Sequence, residues 1–176
     1  MASQTLLVSD VPAWFVLGAA FAFGACWGSF FNVAIYRWPR DMSVVRPPST
    51  CPSCGKVIAA RYNVPIFGYL MLGGKTACCG TRLSPRYPAI ELLSALLCVA
   101  LARRYVLGAP PDTMLLWAAM ITMMYFVFVG GLLVATFVDL EHMMIPDEVS
   151  LPGAAFGLAT AVLRDPGNVA SYALGA

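Results

Sequence analysis

From residue 114 to residue 138 the chain carries no charged side chain, and the run ends on Asp139. A stretch of that length and apolarity meets the roughly 20 residues needed to cross the hydrocarbon of a bilayer, so it predicts a membrane-spanning helix. A carboxylate at the edge of such a span is costly to keep there, which makes Asp139 a candidate for chemistry or binding. The remainder agrees with a membrane protein: 60% of residues are hydrophobic and 11% charged, whereas soluble domains carry roughly 25% charged residues. Further spans or parts of spans are expected at 13–38, at 89–107 with Arg103 and Arg104 interrupting it, and at the short 149–163, while 169–176 reads as the start of another.

The first apolar run has no Lys or Arg before it and is too long for the hydrophobic region of a signal peptide, so it is read as a retained helix. Within it Gly24, Gly28 and Asn32 recur at helical spacing, placing two small residues and an amide on one face suited to close helix packing. Charge then orients the chain. Arg37, Arg40, Arg46, Lys56, Arg61, Lys75, Arg82 and Arg86 lie between the first two spans against Asp41 alone, which makes that loop cytoplasmic. Asp139 arrives at the same face. Arg37 and Arg40 read as anchors that reach lipid phosphates, so membrane lipid is an expected partner and nucleic acid is not.

Cys26 and Cys98 fall in predicted spans and read as apolar filler. The other cysteines, Cys51, Cys54, Cys78 and Cys79, lie in the loop, where a reducing cytosol favours a metal over disulfides. Cys51-Pro52-Ser53-Cys54-Gly55 has the form of a zinc knuckle. Cys78 and Cys79 are adjacent, and adjacent side chains usually diverge, so the second half of a four-thiolate site is less regular. A disulfide or redox role, or neither metal nor bridge, stays open on spacing alone. The expected fold class is an all-α polytopic membrane protein with a small cytoplasmic cysteine-rich, zinc-ribbon-like loop domain. Its parts are residues 1–38 with the first helix, the cysteine-rich domain 39–88, and a transmembrane core 89–176.

Several separated stretches then read together: Gly28-Ser29-Phe30-Phe31-Asn32 through Arg37, the Cys51 knuckle, Asn63-Val64-Pro65-Ile66, Cys79-Gly80, Ser84-Pro85-Arg86-Tyr87-Pro88 with Glu91, and Asp139 with Ile145-Pro146-Asp147. In order and spacing the chain resembles the bacterial type IV prepilin peptidases, from about residue 28 to residue 152. The resemblance implies a multi-pass enzyme of the bacterial inner membrane. Such an enzyme removes the leaders of prepilins and pseudopilins on the cytoplasmic side and methylates the new N-terminus with S-adenosylmethionine. It implies Asp139 as the first catalytic aspartate and Cys51, Cys54 and Cys79 as three of four domain cysteines. The family's paired C-x-x-C pattern would put a cysteine where Thr76 stands, so Cys78 is the candidate replacement, with a structural Zn²⁺ as the expected metal. The family's second aspartate belongs to a G-x-G-D motif, which the 176 residues do not contain. The chain is therefore expected to be a piece lacking the C-terminal part, or else a non-proteolytic membrane module with a metal-binding domain.

Aspartyl chemistry needs that second carboxylate, because one must hold a proton while the other activates water. If the helix ran on, Asp147 would lie roughly 12 Å from Asp139 at about 1.5 Å per residue, too far to share a proton. It reads instead as the N-cap of the next helix. Glu91 reads either as a contact for substrate or S-adenosylmethionine, or as a helix-start carboxylate paired with Arg86. Glu141 and His142 read as solvated.

Overall fold

The computed structural model describes residues 6–164. Its helices are α1 (Ala13–Arg37), α2 (Phe67–Met71), α3 (Arg86–Tyr105), α4 (Leu115–His142) and α5 (Asp147–Arg164). Among the described residues there is no strand, only isolated β-bridges. The chain is thus mostly helical, and the cysteine-rich residues between α1 and α3 form a lobe at one end. α1 with the turn after it, and α4, are the described helices long and apolar enough to cross a membrane. α3 is helical where a span was expected, but Arg86, Glu91, Arg103 and Arg104 dilute its hydropathy. The segment expected as a fourth span is helical, as α5, with Pro152 inside it, but α5 is not among the described helices long and apolar enough to cross; the expected 169–176 segment lies outside the described residues.

α1 and α3 pack backbone to backbone through the small-residue face. A Cβ on Gly24 would stand 2.7 Å from Cys98 Cβ, and one on Gly28 would stand 2.6 Å from Glu91 Cα. Neither helix can retreat without opening the shared core, in which Phe31, Ile35, Ile90 and Cys98 meet Phe126, Val134 and Val138 of α4. Gly130 of α4 admits the Phe31 ring in the same way. Substituting Gly28 by Val is expected to destabilise the bundle by about 1–3 kcal/mol, the usual cost of overpacking. A lower unfolding midpoint in detergent, with no fall in the midpoint for the exposed-site control Gly18→Ala, checks this; open space surrounds Gly18.

At the end away from the lobe, Val8 N–H donates to the Thr113 carbonyl at 3.0 Å and Leu115 N–H to that of Leu6 at 2.9 Å. At the lobe end an ion pair joins Arg86, the first residue of α3, to Glu141 in the last turn of α4. This corrects two expectations: Arg86 does not pair with Glu91, and Glu141 is not merely solvated. Arg37 differs as well. It is buried, and its guanidinium donates to the carbonyls of Ser43 at 2.8 Å and Pro47 at 2.7 Å, fixing the chain's exit from α1 rather than reaching outward. The two carbonyls, close to the end of α1, give the planar fork of donors partners within reach.

Candidate functional site

Two turns of the same construction bring the lobe's sulfurs together. In the first, Cys51 N–H donates to the Lys56 carbonyl at 2.8 Å, Gly55 N–H returns to the Cys51 carbonyl at 3.0 Å, and Thr50 bridges to Val57. In the second, Thr76 N–H donates to the Thr81 carbonyl at 2.8 Å, Gly80 N–H returns to the Thr76 carbonyl at 2.9 Å, and Lys75 bridges to Arg82. Gly55 and Gly80 take the same left-handed conformation, φ 69° and 70°, which glycine adopts without steric cost. In this register Thr76 stands where the first turn has Cys51, and Cys79 stands where it has Cys54.

The four thiol sulfurs of Cys51, Cys54, Cys78 and Cys79 all lie within 4.8 Å of one another. Individual separations are 3.5 Å for Cys51 to Cys79, 3.3 Å for Cys54 to Cys78 and 3.9 Å for Cys78 to Cys79. Four thiolates around one Zn²⁺ at about 2.3 Å would be about 3.8 Å apart, so the donor set fits a tetrahedral ion. The expectation that adjacent cysteines diverge is overturned here. Thr76 is buried with its hydroxyl 3.4 Å from the Cys79 sulfur and accepts the Thr81 N–H at 3.1 Å, and Cys78 enters from the turn to complete the group.

Sulfurs this close cannot all be thiolates without a cation between them, and their acidities split. Hydrogen bonds from the Thr76 and Thr81 hydroxyls hold the Cys79 thiol down at about 5, whereas the contact with Cys54 pushes Cys78 up to about 12. Backbone N–H groups of Cys54 and Ser53 lower Cys51. A bound cation replaces those protons, which is why thiolate sites couple metal binding to proton release.

Asp139 lies in the last turns of α4, exposed, and α4 ends at Met143 in a left-handed C-cap (φ 53°). The helix therefore runs past Asp139 instead of ending at it. Asp147 is the first residue of α5, in the turn where a carboxylate favours the helix dipole, rather than its N-cap. The Arg86–Glu141 pair fixes this turn beside the start of α3, and so beside the lobe's return into the bundle.

Glu91 is not a helix-start carboxylate, since α3 begins at Arg86 and carries no acid in its first turn. It faces α1 and accepts the Ile66 N–H at 2.6 Å. Ile66 has φ 63° and ψ −54°, and Phe67 N–H donates across it to the Pro65 carbonyl at 2.6 Å, a γ-turn of the rare hand. A β-branched residue held there stores about 1–3 kcal/mol, and such strain gathers at functional sites. The bond to Glu91 holds the turn in place. Sequence reading missed this turn; the Asn63-Val64-Pro65-Ile66 stretch was its only trace.

Residues 22–105 match the bacterial peptidase A24 N-terminal domain, a class that takes in most of α1, the cysteine lobe and α3. More particularly, the chain is 39% identical over 156 residues to a prepilin leader peptidase/N-methyltransferase of Myxococcus xanthus strain DK1622, covering 87% of this chain and 43% of that protein. It is 33% identical over 168 residues to one of Pectobacterium carotovorum subsp. carotovorum (84% of this chain, 56% of that protein). A third, from Klebsiella pneumoniae, is 36% identical over 138 residues (75% and 56%). The chain spans about half the length of the curated relatives it matches. No solved structure matches it. The resemblance to the type IV prepilin peptidases read from the motifs is borne out by these relatives.

Proposed function

We propose that this protein acts as a prepilin leader peptidase and N-methyltransferase of the bacterial inner membrane, with α1, α3, α4 and α5 crossing the bilayer and the cysteine lobe and Asp139 on the cytoplasmic side. The observation that carries the reading is the Arg86–Glu141 pair, which ties the Asp139 turn to the base of the lobe. The names of the relatives support it. Asp139 would act as general base, taking a proton from the water that attacks the scissile carbonyl. Its partner, by family resemblance the aspartate of a G-x-G-D motif, would hold the proton that the leaving amine needs.

The lobe would hold Zn²⁺ through Cys51, Cys54, Cys78 and Cys79 in a closed, structural site with no open position for chemistry. S-adenosylmethionine, when bound, would supply the methyl group for the new N-terminal amine.

Fusing these 176 residues to the G-x-G-D region of a relative and expressing the fusion in cells without their own prepilin peptidase tests the reading. Conversion of a co-expressed prepilin to the shorter form is expected, and an uncut prepilin beside a well-folded fusion would favour a non-proteolytic module instead. For the lobe, Cys78→Ser is expected to weaken zinc binding by at least about tenfold. Adding Thr76→Cys to that variant is expected to restore it, because Thr76 occupies the vacant ligand position of the second turn. Competition with a chromogenic chelator reads both values, and Cys78→Ser binding zinc like wild type would remove Cys78 from the ligand set.

A further inference from the structure

From Tyr62 to Gly74 the lobe carries no charged side chain, while Arg61 and Lys75 bound the stretch. An apolar run of that length, too short to span a bilayer, is either a core segment or one that lies in the membrane interface. Exposure decides between the two. Gly68 of α2 is buried and Leu72, just beyond the helix, is partly so, whereas Phe67, Leu70 and Met71 are 60%, 64% and 73% exposed. At about 3.6 residues per turn these three share one face of the helix. A water-facing helix carries polar side chains there, and this one carries none.

The place of α2 along the bundle accounts for the inversion. Ile66 N–H, at the entrance to α2, donates to Glu91 Oε2 at 2.6 Å. Glu91 stands roughly 7.5 Å along α3 from Arg86, its first residue, and the Glu91 Cα lies against Gly28, well inside α1. The chain therefore descends past the helix ends at Ile66 and leaves through α2 to Gly73 and Gly74, whose left-handed φ of 58° and 72° turn it back to Lys75. Interfacial helices bury their apolar face about 5–10 Å into the boundary between headgroups and acyl chains, the depth of Glu91. From that level inward α3 exposes Leu92, Leu93 and Leu96. Backbone taken so deep must have its N–H groups paired. Glu91 pairs that of Ile66, and the turn pairs Phe67 with Pro65 and Gly68 with Val64. Charge completes the match: between Asp41 and Glu91 there is no acidic residue, against Arg46, Lys56, Arg61, Lys75, Arg82 and Arg86. Basic clusters beside an apolar anchor favour the anionic lipids of a cytoplasmic leaflet.

We propose that α2 lies in the cytoplasmic leaflet, with Phe67, Leu70 and Met71 among acyl chains and Arg61 and Lys75 at anionic headgroups. The proposal rests on the membrane topology proposed above and adds that the lobe dips into the bilayer instead of standing clear of it. The strained Ile66 turn is the innermost point of the dip.

The test places p-benzoylphenylalanine at Phe67, and separately at the exposed Phe128 of α4, in the chain reconstituted into nanodiscs of phosphatidylethanolamine and phosphatidylglycerol. After irradiation, mass spectrometry is expected to find acyl-chain adducts at both positions. Because both side chains are exposed, neither label requires a core to repack. Removing the flanking charges by Arg61→Gln and Lys75→Gln is expected to lower the phosphatidylglycerol share of the adducts at position 67 by at least about twofold; an unchanged share would overturn the headgroup assignment. Acyl adducts at 128 with none at 67 would overturn the proposal and leave the membrane topology standing. None at either position would bring down both. Adducts at 67 that fall on a second copy of the chain, or that move from lipid to an added prepilin, would assign the face to protein and overturn the proposal as well.

Discussion

Asp139→Asn, made in the fusion that carries a G-x-G-D segment, is expected to lower prepilin cleavage by about 100- to 10,000-fold, the usual worth of a positioned general base. The substitution keeps the shape of the side chain and removes its capacity to accept a proton from water. Helix α4 continues through Asp139 to His142, so no helix end is lost with the charge. Zinc content and helicity should stay at wild-type levels, and so should methylation of a pilin supplied without its leader, because the lobe and the α1–α3 junction are untouched. Single-turnover cleavage of a detergent-solubilised prepilin measures the effect. A variant within threefold of wild type would take the base role away from Asp139.

The second large effect is expected in the lobe. Among the described residues, the buried apolar side chains between Trp38 and Pro85 reduce to Cys51. A segment with so little core cannot offset the conformational entropy of ordering it, and small folds of that kind depend on a staple. A structural zinc is worth about 10–16 kcal/mol in isolated finger peptides, ample for the task. Cys51→Ser, or a strong chelator applied to wild type, is therefore expected to make the lobe's Lys and Arg sites susceptible to trypsin while α1, α3 and α4 stay helical. Elemental analysis should find about one zinc per chain before treatment. A lobe equally resistant with and without metal would show that the turns hold themselves.

The helices were legible because hydropathy and small-residue spacing act locally. Residues 115–138 of the uncharged run lie within α4, with residue 114 its N-cap, and Gly24 and Gly28 meet α3 as their spacing requires. The Cys51 knuckle was legible for the same reason, as its hydrogen bonds close within a few residues. Partners distant in sequence were not. Nothing near Arg86 indicates that its carboxylate is Glu141, nothing near Arg37 indicates that it turns back onto Ser43 and Pro47, and nothing near Glu91 indicates that it braces Ile66. These choices are settled by which helix faces approach each other. Cys78 is an intermediate case. Its residue type identified it as a thiolate donor, but only the register of the second turn, with Thr76 in the place of a ligand, explains how it reaches the other sulfurs.

The most direct test of the account is the mass of the pilin N-terminus after incubation with the fusion protein and S-adenosylmethionine. The account predicts a leaderless pilin heavier by one methyl group with wild type, and with Asp139→Asn a pilin that keeps its leader. An unmodified full-length prepilin from wild type, with zinc bound and helices intact, would contradict it.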